Sequence, residues 1–182
     1  MILIDSHWET TRLSIGDSLL DELPSLETID DSVAYINEWT GWNSNDHPDN
    51  SLLSALVDGE LPPGGSKDFF RMQTITRKDD SAVAGYLEIY HGDPTQDTLY
   101  LVGLYLSVQH QGQGLGQEVV NGLSAWAGRS GYRRMRLHVA LKNWPALRFW
   151  TQAGFNQVIE IRGDPCYSLD TFAEIFLEKI LA

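Results

Sequence analysis

The 182-residue chain has little cysteine and no long apolar run. Its one cysteine, Cys166, excludes an intramolecular disulfide and a zinc site built from several cysteines. No segment approaches the length of a membrane span, and the apolar start of the chain, which ends at Asp5, is far too short for a signal peptide. We therefore expect a protein of the reducing cytoplasm, with no membrane partner.

Positive charge is nearly absent from the first third of the chain. Through Glu60 there are thirteen acidic residues against one basic residue, Arg12, whereas the rest has twelve of each sign. The formal net charge of −12 therefore belongs to this first part. Such a surface repels phosphates, which argues against a nucleic-acid partner, although an acidic surface also serves solubility alone.

What the chain does have is the composition of a soluble globular protein, with 42% hydrophobic and 21% charged residues. Its length favours one domain, residues 1–182. In the first part of the chain the residue pattern predicts a strand over 10–15, a short helix or turn over 19–26 broken by Pro24, a helix from Ile29, a loop over 41–49 and a helix over 51–57. Strands over 69–76 and 82–91, joined as a hairpin, come next, followed by a strand from 99 and a helix over 114–131. The last predicted elements are a strand over 134–141, a short helix from Asn143 to Gly154, and strands over 157–161 and 172–177.

The stretch from Leu99 to Gln117 carries the main functional signal. Its first half is an almost unbroken apolar run, typical of a buried strand, and Gly103 inside that run indicates a bulge or a close approach of another backbone. The segment 111–116 is a glycine turn, and apolar residues from Leu115 onward recur at helical spacing. A turn between a strand and a helix presents free backbone N–H groups and a positive helix end, so we expect it to bind a phosphate group.

Two widespread phosphate loops do not fit this turn. A dinucleotide fingerprint needs its third glycine where Gln117 stands, and an acidic residue about 20 positions further on. The segment around Arg134, Arg136 and His138 contains no such acidic residue. The nucleoside triphosphate loop needs Gly-Lys-Ser/Thr after four spacer residues, and none follows Gly112.

The turn instead resembles the coenzyme A loop of the Gcn5-related N-acetyltransferase (GNAT) family, Gln/Arg-x-x-Gly-x-Gly/Ala. Here those places are taken by Gln111, Gly114 and Gly116. The resemblance is strong over residues 99–155 and faint before residue 69. A second block is similar to the family's later motif, in which a strand precedes Asn-x-x-Ala, an aromatic residue and a closing Gly-Phe, here Asn143, Ala146, Trp150, Gly154 and Phe155.

This resemblance implies an α/β (α+β) fold with a central mixed, mostly antiparallel β-sheet flanked by helices and a bulged strand at the cofactor cleft. Residues 1–68 would form the acidic acceptor side and residues 69–182 the acetyl-CoA-binding core. The loop amides would hold the pyrophosphate of acetyl-CoA, the strand edge would pair with the pantetheine arm, and an amide near Leu106 would donate to the oxyanion. The cofactor-binding residues would be Leu104, Tyr105, Leu106, Gln111, Gly112, Gln113, Gly114, Leu115, Gly116, Gln117, Asn143 and Trp150.

The general base is open at this point. Several relatives place a glutamate on the strand before the Asn motif, where this chain has His138, and an imidazole titrates near neutrality, which suits a base. Arg134 and Arg136, on the same strand face, would favour its neutral form. Glu88 or His91 on the neighbouring strand, or a chain of waters, are the alternatives.

The acid that protonates the departing thiolate is open as well. The family's usual tyrosine is replaced by Trp150, whose indole N–H donates a hydrogen bond but is no practical acid. Tyr105 or Tyr167 would substitute, and a thiol with a pKa of about 8.5 also leaves as the anion. Trp150 would otherwise only fill space in the core and beside the cofactor.

The sequence thus indicates an acetyl-CoA-dependent N-acetyltransferase acting on an amine, either a small molecule or a peptide. Acceptor sites in this family lie partly on the N-terminal helices, which carry the net charge here, so the acceptor is expected to be cationic. The alternative function is a non-catalytic acyl-CoA sensor. The third interpretation is a purely structural glycine turn that binds no ligand. The sequence does not decide between a monomer and a homodimer.

Overall fold

An eight-stranded sheet forms the centre of the protein in a computed structural model that describes residues 2–41 and 51–181. Its order is β1-β2-β3-β4-β5-β6-β8-β7. All neighbours are antiparallel except β5 and β6, so the expected mixed, mostly antiparallel sheet is confirmed. The strands are β1 (His7–Glu9), β2 (Leu13–Asp17), β3 (Phe70–Arg77), β4 (Val83–His91), β5 (Thr98–Leu106), β6 (Arg134–Ala140), β7 (Gln157–Gly163) and β8 (Ala173–Ile180).

Helices cover both faces of this sheet. On one face α4 and α5 pack through buried residues such as Leu123 and Trp150. On the other face α1 buries Leu26 and Ile29 against β3 and β4. In the ranges that the structure describes, no helix is both long and apolar enough to cross a membrane. The helices are α1 (Leu23–Val33), α2 (Asn37–Thr40), α3 (Leu52–Val57), α4 (Leu115–Arg129) and α5 (Trp144–Gln152).

A bulge interrupts the pairing of β4 with β5. Glu88 pairs with Gly103, whereas the next residue of β4, Ile89, pairs with Leu101, so one residue of β5 is extra. A bulge bends its strand and increases the local twist. The bulge predicted at Gly103 is therefore confirmed.

Beyond this bulge β5 and β6 separate. Their parallel pairing ends at Tyr100 opposite Arg136, although β5 continues to Leu106 and β6 to Ala140. In the described part of the chain, the β6-facing edge of β5 then has no strand partner over its last residues. The result is a wedge-shaped opening in the sheet whose walls are the ends of β5 and β6.

The predicted strand over 10–15 is confirmed from Leu13, where β2 begins, and is wrong over residues 10–12. Those three residues form the turn of the β1–β2 hairpin, in which the Thr10 amide donates to the Leu13 carbonyl at 2.9 Å. The turn breaks the strand because Thr10 Oγ1 and the Arg12 amide both donate to one carboxylate oxygen of Glu118 on α4, at 2.6 and 2.7 Å.

The predicted break at Pro24 is also wrong. Proline lacks an amide that the first helical turn leaves unpaired in any case, so α1 starts at Leu23 and continues to Val33. The loop predicted over 41–49 lies, beyond Gly41, outside the described residues. The structure agrees with the predictions for α3, the β3–β4 hairpin, α4, β6 and α5, with shifts of one or two residues at their ends.

Candidate active site

The glycine turn joins β5 to α4 at the mouth of the opening. Gly112 and Gly114 have φ angles of +72° and +79°, a left-handed conformation that side chains disfavour. A Cβ at Gly112 would have no neighbour within 4 Å, so the space above it is open. The turn and the first turn of α4 thus present backbone amides to an accessible site that suits the pyrophosphate of coenzyme A.

Hydrogen bonds hold this turn in place. Gln111 donates from Nε2 to the Leu106 carbonyl at 2.9 Å, and Gln113 donates to the Gln109 carbonyl at 2.8 Å. Gln117, one turn into α4, donates to Asn121 at 2.9 Å. The side chains of Gln111 and Gln113 therefore shape the loop, and its amides are left for a ligand.

Arg12 ties the β1–β2 hairpin to the glycine turn, a contact that the sequence analysis missed. Its Nε donates to Glu118 at 2.6 Å and its Nη1 donates to the Gln113 carbonyl at 3.0 Å. The only signal in the sequence was that Arg12 is the single basic residue of the acidic part. Its guanidinium lies 3.5 Å from where a Cβ of Gly114 would be, at the edge of the glycine turn.

The residues predicted for the pantetheine arm line both sides of the opening. Leu104 and Leu106, on the free edge of β5, pack partly buried against the core. Across from them, Asn143 caps α5 by accepting from the Ala146 amide at 3.1 Å. The Nδ2 of Asn143 donates to no atom in the described part of the chain, so the cap leaves it free for a ligand.

Trp150 and Leu115 are core residues. Trp150 is 9% exposed, and its ring contacts Phe149 and Phe155 with centroids 4.7 and 5.3 Å apart. Leu115 is 4% exposed and belongs to the same core cluster. Gly116, the next residue of α4, faces Phe149, whose ring would be 3.2 Å from an added Cβ. The aromatic residue at position 150 thus packs against the wall of the opening.

A cavity of about 410 Å³ lies on the α1 side of the same bulge. Its walls come from α1, α2, α3, the segment before β3, and strands β4, β5, β6 and β8. Four carboxylates line it, namely those of Asp30, Glu60, Glu88 and Glu174.

Glu88 is the most deeply placed of these carboxylates. It is 4% exposed and has no hydrogen-bond or ion-pair partner among the described residues. Burial, followed by the charges of Glu60 and Asp30, raises its pKa to about 8. Its Oε2 lies 2.9 Å from where a Cβ of Gly103 would be, so a glycine at the bulge leaves room for the carboxyl group.

Tyr105 stands beside Glu88. Its ring stacks on that of Tyr86 at 4.7 Å, and the Tyr86 hydroxyl donates to Asp30 at 2.8 Å. Burial and the charge of Glu88 raise the pKa of Tyr105, so its hydroxyl keeps its proton and remains a hydrogen-bond donor. A Cβ at Gly103 would clash with the Tyr105 ring at 2.2 Å.

His138 lines the cavity from β6. Its Nδ1 is 2.7 Å from the Tyr100 hydroxyl, its Nε2 is 3.9 Å from Glu174, and its ring stacks on Phe176. As expected, Arg134 and Arg136 share its strand face, but both pair with Glu178, at 3.6 and 2.9 Å. The carboxylate of Glu178 therefore compensates much of the positive charge that these two arginines place near the imidazole.

His91 and Tyr167 are not part of this constellation. His91 is 1% exposed on the α4 side of the sheet, bonded to the Tyr132 hydroxyl at 2.7 Å, and burial lowers its pKa to about 4. Tyr167 is 84% exposed and does not line the cavity. The structure brings Glu88, Tyr105 and His138 together, and it places the other two residues elsewhere.

This geometry coincides with a family assignment. A family model described as the acetyltransferase (GNAT) family matches residues 19–155. The chain belongs to the acetyltransferase (GNAT) family. It is accordingly an N-acetyltransferase, and its glycine turn, bulged strand and opened sheet occupy the places expected from the resemblance.

Solved structures share this acetyltransferase's fold at low sequence identity. An acetyltransferase from Thermus thermophilus is 19% identical with a TM-score of 0.69, over 96% of this chain and 100% of that one. The ribosomal-protein-S18-alanine N-acetyltransferase from Escherichia coli is 17% identical with a TM-score of 0.63, over 93% and 94%. Spermidine N-acetyltransferase from Vibrio cholerae, in complex with CoA and spermine, is 12% identical with a TM-score of 0.66, over 93% and 95%. No curated protein matches the sequence.

The acidic lining of the GNAT chain's cavity was only partly foreseen. Glu88 was predicted only as an alternative base, and neither Glu60 nor Glu174 nor Asp30 was predicted individually as a site residue. The excess of acidic residues before residue 61 predicted an acidic surface that includes Asp30 and Glu60, but it singled out neither residue. Glu174 had no signal, because only the pairing of β8 with β6 brings it to the cavity.

Proposed function

We propose that this protein transfers the acetyl group of acetyl-CoA to the amine of a cationic acceptor bound in the acidic cavity. The observation that carries the proposal is the unpartnered, buried carboxyl of Glu88, which lies at the bulge where the cavity meets the opened sheet. A carboxyl there is placed to take a proton from an incoming ammonium group.

The glycine turn and the sheet opening form the acetyl-CoA site in this proposal. Backbone amides from Gly112 to Gly116 bind the pyrophosphate, and the free edge of β5 at Leu104 and Leu106 pairs with the pantetheine arm, assisted by Asn143 Nδ2. Acetyl-CoA supplies the activated thioester carbonyl.

Glu88 is the general base of the proposed reaction. Its pKa of about 8 lies close to the operating pH and brings it nearer to that of an alkylammonium group, which makes proton transfer feasible. The Tyr105 hydroxyl, beside Glu88, is the donor to the departing sulfur. His138 lies on the far side of the cavity and bonds Tyr100, which favours a role in shaping the site over direct proton transfer.

The acceptor is cationic in this proposal because its cavity carries four carboxylates. One sign of charge lining a cleft concentrates ligands of the opposite sign. A structural neighbour, the spermidine N-acetyltransferase from Vibrio cholerae, was solved in complex with CoA and spermine, so a protein of this fold binds a polyamine. Residues 1–68 contribute Asp30 and Glu60 and would form the acceptor side.

Release of free thiol from acetyl-CoA, measured across polyamines, aminoglycosides, amino acids and peptides with free N-termini, tests this proposal. We expect turnover with cationic amines, and we expect coenzyme A to raise the melting temperature. Thermal stabilisation without turnover on any amine would instead favour a non-catalytic acyl-CoA sensor, which the tryptophan at position 150 would permit. Absence of both would contradict a cofactor site in the glycine turn.

A further inference from the structure

The cavity beside the bulge has an uncompensated charge. It is lined by four carboxylates, and among the described residues no lysine or arginine lines it. Lys67 acts electrostatically on Glu88, but its Nζ donates to the Leu56 carbonyl at 2.9 Å and it lies outside the lining. Carboxylates that share a site repel one another unless a proton or a cation intervenes.

Glu88 independently indicates a missing partner. A buried carboxylate is normally paired or hydrogen-bonded, because leaving it alone in a region of low dielectric is costly. Glu88 lines the cavity and is 96% buried, and in the described part of the chain its carboxyl has no hydrogen-bond or ion-pair partner. A ligand cation that enters the cavity would supply that partner.

The carboxylates divide into two ends. Asp30 accepts from the Tyr86 hydroxyl at 2.8 Å, and Glu60 and Asp30 both act electrostatically on Glu88, so these three carboxylates form the end next to the bulge. Glu60 also interacts electrostatically with His138. Glu174 lies on β8, 3.9 Å from His138 Nε2, and forms the second end, which we call the distal carboxylate.

The two ends are separated by several strands. Glu88 is on β4 and Glu174 is on β8, and the order β4-β5-β6-β8 puts three strand spacings between them. At about 4.8 Å per spacing the backbones are roughly 14 Å apart, and the divergence of β5 from β6 adds to this. A compact ammonium ion reaches one end only, whereas an extended chain with two ammonium groups reaches both.

We propose that the acceptor is a flexible aliphatic di- or polyamine whose reacting amine lies at Glu88 and whose second ammonium lies at the distal carboxylate, Glu174. The inference rests on the proposed function, because it assumes that the cavity holds the acetyl acceptor. A volume of about 410 Å³ is in the range of sites for small molecules, which favours a small amine over a basic peptide.

Matched amines test the need for a second charge. Butylamine and putrescine have the same carbon chain but differ by one ammonium group, and spermidine extends the chain further. We expect kcat/KM to be at least about tenfold higher for putrescine than for butylamine, and higher still for spermidine, since a charge-assisted contact is gained. Equal values for butylamine and spermidine, or preference for a basic peptide over spermidine, would overturn the inference.

Variants test the position of the second charge. Glu174→Gln keeps the shape of the side chain and removes its charge, so the loss in kcat/KM should be several-fold larger for spermidine than for butylamine. Asp31→Asn is the matched control, because Asp31 follows Asp30 on α1, is exposed and lies outside the cavity lining. An equal loss for both amines in Glu174→Gln would contradict a second ammonium site at the distal carboxylate.

Spermidine binding to the CoA-loaded protein, measured by calorimetry, separates this inference from the proposed function. Binding that Glu174→Gln weakens, without turnover of any amine, would support the two-ended cavity and contradict acetyl transfer. Turnover of monoamines with no gain from a second ammonium would support acetyl transfer and contradict the two-ended cavity. Absence of both turnover and spermidine binding would contradict both.

Discussion

At the scale of single residues, Glu88 combines deep burial with the lack of a partner. Structural carboxylates in this protein are treated differently: Glu178, 3% exposed, pairs with both Arg134 and Arg136. The two carboxylates differ in their surroundings, because Glu88 lines a cavity whereas Glu178 contacts two guanidinium groups. In our proposal Glu88 lacks a partner within the protein because its partner is the substrate.

We predict that Glu88→Gln lowers kcat/KM by about 100-fold or more, because it removes the base and leaves the shape of the side chain. In the wild type, kcat/KM should rise with pH through a midpoint near the pKa of about 8, since the base must be ionised to accept a proton. The variant should lack this rise, and its KM for acetyl-CoA should stay unchanged. If the rise instead disappears in His138→Ala and persists in Glu88→Gln, His138 is the base.

The same carboxyl makes a prediction about folding stability. Burial raises its pKa from the ordinary value of 4.5 to about 8, so between these two pH values the folded state holds a proton that the unfolded state has released. The free energy of unfolding must therefore fall as the pH rises through this window, by up to about 1.4 kcal/mol per unit of pH.

Urea unfolding of the wild type and Glu88→Gln at several pH values checks this. The variant should gain stability relative to the wild type as the pH rises toward 8, and the difference should level off above it. Taking the difference removes the contribution of His91, whose lowered pKa of about 4 acts in the opposite direction. A difference that does not vary with pH would show that burial has not raised the pKa of Glu88.

At the scale of elements, the strand–turn–helix unit of β5 and α4 is the part that binds phosphate in our proposal. Gly114 at its N-cap and Gly131 after its C-terminus both have positive φ, +79° and +89°, and neither would place a Cβ in a close contact. Alanine at either position thus carries a similar backbone strain, on the order of 1–2 kcal/mol. The two ends of one helix provide a matched pair of variants.

We predict that Gly114→Ala weakens coenzyme A binding by about tenfold or more, because its Cβ enters the space over the loop amides. Gly131→Ala should lower the melting temperature by about as much as Gly114→Ala does, but it should leave the affinity for coenzyme A unchanged. Calorimetric titration of both variants with coenzyme A, next to thermal unfolding, makes the comparison. Equal affinities in the two variants would remove the phosphate site from the glycine turn.

Elements whose boundaries depend on local chemistry could be predicted from the sequence, and those set by distant contacts could not. The bulge at Gly103 and the cap at Asn143 follow from single residues with strong local preferences, and both were predicted. The β1–β2 hairpin was missed because its turn is fixed by Glu118, more than a hundred positions away. The convergence of the four carboxylates in one cavity was not predicted for the same reason, since β4, β6, β8 and α1 meet there only in the folded chain.

At the scale of the whole molecule, the net charge is distributed along the chain as the proposed reaction requires. The part that carries the net charge of −12 supplies α1 and the segment before β3, which form the cavity. The rest of the chain carries no net charge and supplies the glycine turn. A cationic acceptor and a polyanionic cofactor can then approach neighbouring sites without each being repelled by the other's surroundings.

This distribution predicts that salt affects the two substrates differently. Raising the ionic strength from about 0.01 M to 0.15 M shortens the Debye length from about 30 Å to 8 Å, which screens the attraction of the acidic part for a cation. We expect kcat/KM for a cationic amine to fall several-fold over this range, and KM for acetyl-CoA to change much less.

Asp30→Asn should weaken the salt dependence more than Asp31→Asn or Glu38→Gln, because of these three residues only Asp30 lines the cavity. Equal effects in all three variants would mean that the acidic part attracts the amine through its total charge. A kcat/KM indifferent to salt would reduce the acidic part to a solubilising surface.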